Sequence, residues 1–238
     1  MQESEFKTGV INPIEVYKEA WEMIKDQYWI IFAITFVGIV VGGAVPLILI
    51  GPMMCGIYLV LLHKHEGRPA DFGVLFKGFD YFLPGLILAI IITVPLIFFI
   101  VAIYLPLVAI AVAAPNLNES EVLMFIGGTL AVEFVVALIM VCLHTLLIFA
   151  FPLVVDKKLS ATQAVKLSAR AVWNNLGGVA GLFAVGFVVA IVGYMMLCIG
   201  IYLVLPLILA ATLVAYRKVF PGQPTNFNPP PPGAYIGL

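Results

Sequence analysis

Two side chains stand out for the chemistry they could do: His144 and Glu133, eleven residues apart in the apolar run Val122–Val155. An imidazole ordinarily titrates near about pH 6.5, which makes His144 a candidate proton relay or ligand-binding group. The plainer reading is a neutral ring donating one hydrogen bond between helices. Glu133 could sense protons or bind a cation, and the plainer reading has it mark the outer membrane boundary. His63-Lys64-His65 places two imidazoles two positions apart with no third ligand nearby. That pattern points to a juxtamembrane anchor, and no metal site is expected. Cys55, Cys142 and Cys198 lie in apolar runs, where thiols serve as small hydrophobes. The sequence carries no Ser–His–Asp set, paired carboxylates, phosphate loop or HExxH. The expectation is a non-enzymatic protein with no catalytic residue and no cofactor.

The elements that position these residues follow from composition. Hydrophobic residues make up 63% of the 238 and charged residues 11%, with a mean hydropathy of +1.14. A soluble domain has about 45–50% apolar and about 25% charged residues, so a polytopic membrane protein is implied. The apolar runs are Trp29–Leu62, Leu83–Ala114, Val122–Val155 and Leu176–Tyr216. A crossing takes about 20 residues. The last run therefore holds two crossings, joined near Cys198–Gly200, and the first holds two short ones joined near Gly42–Pro46. The middle runs supply one each, on either side of the acidic linker Asn116–Glu121.

The fold class expected is an all-α, polytopic membrane bundle of six transmembrane helices arranged as three hairpins. All twelve Lys and Arg fall in four polar segments, at 7–25, 64–77, 157–170 and 217–218. The positive-inside rule places these on one side, with both termini cytoplasmic. Residues 1–28 are polar and the following run is too long for a signal-peptide core, so the first crossing is expected to act as its own insertion signal. At 1.5 Å per residue, counting inward from Val155 sets His144 near the midplane and Glu133 near the outer boundary, level with Tyr104. The chain between Leu105 and Val132 would protrude outward.

Each hairpin is preceded by a cytoplasmic interfacial amphipathic helix, at about 13–27, 69–82 and 160–175. Pro13–Tyr28, Pro69–Pro84 and Ala161–Leu176 align as three copies of one unit. Asn12-Pro13 and the Ser160/Gln163 pair supply helix starts. On the third copy Lys157, Lys158, Lys166 and Arg170, with Trp173 at the end, suit contact with anionic lipid or with a partner. Its small residues Ala161, Ala164, Ser168 and Ala171 form a stripe that favours packing against a neighbouring helix.

The stretch FPLVVDKKLSATQAVKLSARAVWNN, with Phe151-Pro152, Asp156, Ser160, Ala164, Ser168 and Trp173-Asn174, resembles a motif in bacterial six-helix membrane proteins. These include the membrane domain of glycerophosphodiester phosphodiesterases and its uncharacterised stand-alone relatives. The likeness is sharpest over residues 145–180 and looser over 51–76. It implies a six-helix fold in a bacterial inner (cytoplasmic) membrane and no particular activity, and no soluble phosphodiesterase domain is expected beside it. Residues 1–218 read as one transmembrane domain and 219–238 as a proline-rich tail, in which Pro229–Pro232 favours polyproline II. The partners expected are membrane lipids, proteins bound through the cytoplasmic helices and tail, and an oligomeric copy, with no nucleic acid. Two functions remain open: a structural or accessory subunit of a membrane assembly, or a transporter or channel for a lipid or other hydrophobic small molecule.

Overall fold

The computed structural model describes residues 6–113, 118–195 and 200–222. Nearly all of the proline-rich tail, the turn at Cys198 and part of the acidic linker lie outside the described residues. Every regular element among the described residues is a helix.

Helix α1 spans Pro13–Ile24, with Pro13 in its first turn; the Asn12 side chain makes no capping bond. Val16, Tyr17, Ala20 and Ile24 recur at helical spacing and are buried against the last two helices. A 3₁₀ turn, Lys25–Gln27, leads into α2, Tyr28–Ala44. The chain reverses through Leu47, whose φ of 72° is left-handed, and returns as α3, Ile50–His65. Next come the short α4, Phe72–Phe76, a 3₁₀ turn at Lys77–Tyr81, and the long α5, Phe82–Ala113. Helix α6, Glu119–Leu146, runs into α7, Ala150–Lys157. Helix α8 spans Ala161–Trp173, α9 Leu176–Met195 and α10 Gly200–Val219.

Among the described residues, five stretches are long and apolar enough to cross a bilayer: 13–44, 72–112, 119–157, 176–195 and 200–219. The chain is therefore an all-helical membrane protein. Helix α3, expected as one of six crossings, has sixteen residues and ends in His63-Lys64-His65, just short of the roughly 17–25 that a crossing takes.

Helix α3 is the hub, packed against α2, α5 and α7. Lipid tails give little hydrophobic drive between helices, so close backbone approach matters more. A Cβ on Gly56 would stand 1.9 Å from the Leu75 carbonyl oxygen, one on Gly78 2.1 Å from that of Pro52, and one on Gly51 2.2 Å from that of Gly85. This contact corrects the expectation of one amphipathic helix over 69–82. Gly73 and Gly78 weaken an α-helix there, and the chain tightens to 3₁₀ where Gly78 lies on α3.

The run Val122–Val155, expected as one crossing, is broken at Leu147–Phe149. Pro152 has no N–H for the carbonyl four residues earlier, and Ser168 of α8 seals the break. Its hydroxyl donates to the Leu146 carbonyl at 2.7 Å and accepts from the Phe149 N–H at 3.2 Å. Ala161, Ala164, Ser168 and Ala171 are all buried, with α8 laid against α5, α6 and α7. The capping box between Ser160 and Gln163 starts that helix. A second box that the sequence reading missed, between Asn118 and Glu121, starts α6.

The four cation-bearing segments gather at one end of the bundle. Arg217 bonds Asp156 at 3.1 Å and Glu66 at 3.3 Å, Lys218 bonds Glu19 at 2.8 Å, and Lys64 bonds Asp26 at 2.6 Å. Away from that end, α5 and α6 run on together with apolar sides outward. Leu123 and Phe134 are 75% and 72% exposed, as suits a surface facing lipid.

Candidate functional site

His144 sits in the last turn of α6, just before the break. Its Nδ1 lies 2.8 Å from the Met140 carbonyl oxygen in the preceding turn, and its Nε2 lies 3.2 Å from that of Ile92 on α5. Pro95 lies inside α5, and its missing N–H leaves the carbonyl of Ile91, next to Ile92, without its helical donor. Carbonyl oxygens only accept, and a neutral imidazole has a single N–H. A neutral His144 therefore donates to one of these oxygens at a time, whereas an imidazolium would donate to both.

Beside His144 is a cavity of about 360 Å³, within the roughly 300–1,000 Å³ typical of small-molecule sites. Helix α3 contributes Tyr58, α5 contributes Ile92 and Thr93, and α10 contributes Thr212. The broken segment turns Leu147 and Ile148 onto its wall, and Phe183 enters from α9. The helix break and its Ser168 seal thus help to form the cavity. A second hollow of about 250 Å³, reaching Tyr17 and Gly186, shares Ile148, Phe183 and Thr212 with the first. The two hollows adjoin along those three side chains.

Among the described residues, no charged one lines either hollow. The polar groups of the first are His144, Thr93 and a hydroxyl pair in which Tyr58 meets Thr212. Thr212 in turn donates to the Ile208 carbonyl at 3.0 Å. A charged guest would be left without a counter-ion in a low-dielectric site. The site suits an uncharged, largely hydrocarbon molecule with one or two hydrogen-bonding groups.

Glu133 does not join this site. It lies about 16 Å farther along α6 at 1.5 Å per residue and lines a separate hollow between α5 and α6. Lys157, Lys158, Lys166, Arg170 and Trp173 are exposed on α7, α8 and the link between them, and none of the five lines the His144 cavity. Lys157 lies 4.9 Å from the centroid of the Phe220 ring. Lys158 ends α7 in a left-handed conformation at φ 53°, and the Arg170 carbonyl accepts from the Asn174 backbone N–H at 3.2 Å.

Sequence reasoning passed over Tyr58, Thr93 and Thr212, because a hydroxyl in an apolar run gives no signal of what it faces. It also passed over the junction at the cation-bearing end. There Tyr216 donates to Asp156 at 2.5 Å beside the Arg217 ion pairs. Asn175, 5% exposed, takes the Gly9 N–H at 2.8 Å and donates to the Lys7 carbonyl at 3.1 Å. Adjacent Tyr216-Arg217 and the isolated Asp156 were the available signs. No family model matches the chain, and no curated protein or solved structure matches it either.

Proposed function

We propose that this is a non-enzymatic, multi-pass protein of the bacterial inner membrane that holds and passes on an uncharged lipid, or another hydrophobic small molecule, in the cavity beside His144. One observation carries the reading: a cavity of about 360 Å³, without a charged wall residue among those described, opens beside the only histidine of the apolar runs. His144, held between the Met140 and Ile92 carbonyls, sets its ring against the guest as part of the cavity wall. Tyr58, Thr93 and Thr212 supply the other polar contacts, and the break in α6–α7 is the joint at which the cavity wall can shift.

In this reading both termini and all the cations face the cytoplasm, which their gathering at one end supports. Helix α3 completes six helices in three hairpins. Its apolar residues 50–62 rise only about 20 Å at 1.5 Å per residue, and its neighbours shield it from lipid. The short helices that precede α2, α5 and α9 support the threefold plan, and the likeness to the six-helix phosphodiesterase membrane domain agrees with it.

Native mass spectrometry of the protein released from nanodiscs tests the function. A neutral lipid should be retained at one per chain, be lost with His144→Ala at normal expression, and be lost again with Thr212→Val. Chains that carry no lipid in any preparation would sink the proposal. A second reading, a structural or accessory subunit, is favoured by the exposed Lys157, Lys158, Lys166 and Trp173. A stoichiometric protein partner that is released on deleting residues 221–238 would support it instead.

A further inference from the structure

The hollow between α5 and α6 is larger than the one beside His144, at about 580 Å³, and its chemistry is different. Glu133 stands at one end of it and Glu121 at the other, twelve residues or about 18 Å apart along α6. Between them the wall is apolar apart from Thr129, with Pro106 on α5 and Phe125 and Gly128 on α6.

Glu121 is already engaged, since its carboxylate accepts the Asn118 N–H at 2.9 Å in the box that starts α6. Glu133 is not. Its Oε1 is shielded from solvent and has no hydrogen-bond partner among the described residues, an arrangement that costs free energy unless something pairs with it. Among the described residues, no lysine, arginine or histidine lines the hollow. The surrounding flanks, including the exposed Leu123 and Phe134, are apolar, so a guest would enter from lipid.

We propose that this groove binds a lipophilic monovalent cation, a molecule with a hydrophobic body and one positive charge. The body lies along Phe125 and Pro106, and the charge is paired with Glu133. Charge complementarity selects this occupant over a neutral lipid, which brings no counter-charge to the carboxylate, and over an anion, which would meet two carboxylates. The site is independent of the His144 cavity, and either can fail without the other.

The test uses the full chain in phosphatidylcholine nanodiscs with tritiated tetraphenylphosphonium as the probe. Saturable binding is expected, weakened about tenfold or more by Glu133→Gln through loss of one ion pair in a low-dielectric site. Glu133→Asp keeps the charge and should bind within about threefold of the original, separating loss of charge from loss of fold. Gly128→Leu tests the groove itself. A Cβ at Gly128 meets no atom within 4 Å, so the larger side chain can occupy the hollow, and it should abolish binding with Glu133 intact. Binding left unchanged by Glu133→Gln or by Gly128→Leu overturns the proposal, as does the absence of saturable binding.

Discussion

Ser168 shows how one hydroxyl can decide the course of a helix. The sequence reading placed it in a stripe of small residues, which accounts for its burial but not for its bonds to Leu146 and Phe149. Ser168→Ala keeps the close fit and leaves a buried carbonyl and a buried N–H unpaired, so it should cost about 1–3 kcal/mol. Thermal unfolding in detergent reads that loss directly; an unchanged midpoint would mean that the break does not depend on the serine. His63 makes the pH prediction at this scale. Burial first, then the Arg68 guanidinium, holds its imidazole below the ordinary 6.5, against the opposing Glu66 carboxylate. The folded state resists protonation there. The stability this contributes is complete above pH 6.5 and lost as the pH falls through the lowered folded value. Unfolding midpoints should drop as buffer goes from pH 7 to pH 5, and the drop should be smaller in His63→Gln.

Glycines join the elements at the α3 hub, and here the outcome depends on which atom lies opposite. Gly56 and Gly78 face backbone, which cannot rotate away, so Gly56→Ala must push α3 off α4. A loss of about 1–3 kcal/mol or more is expected from such overpacking. Gly43, at the end of α2, has no atom within 4 Å of an added Cβ, and Gly43→Ala should change stability by no more than about 0.5 kcal/mol. The pair separates close approach from glycine's intrinsic helix penalty, because both lie in helices. Helix existence was readable in advance for α1 and α8, where apolar periodicity and start signals agreed. The region at 69–82 was not readable, because its shape is set by contacts with Pro52 and Gly56 of α3, which are distant in the chain from Gly78 and Leu75.

At the scale of the whole molecule, the ion pairs from Arg217 to Asp156 and Glu66 draw three distant segments to one end. Single cysteines introduced at Lys64 and Lys157, in a background lacking Cys55, Cys142 and Cys198, should both react with an impermeant maleimide from the cytoplasmic side. Labelling from opposite sides would dismantle the hairpin arrangement and the proposed sidedness with it. Membrane residence, the all-helical class, the rough limits of the long helices and the separation of His144 from Glu133 were all present in the sequence, because each depends on local hydropathy and on rise per residue. The cavity beside His144, the sealed break in α6–α7 and the carbonyls facing the imidazole were not. They are made by side chains and backbone from α3, α5, α8, α9 and α10 meeting in space. An apolar run has the same composition whether its residues face lipid, a neighbour or a void, so only tertiary packing could decide among them.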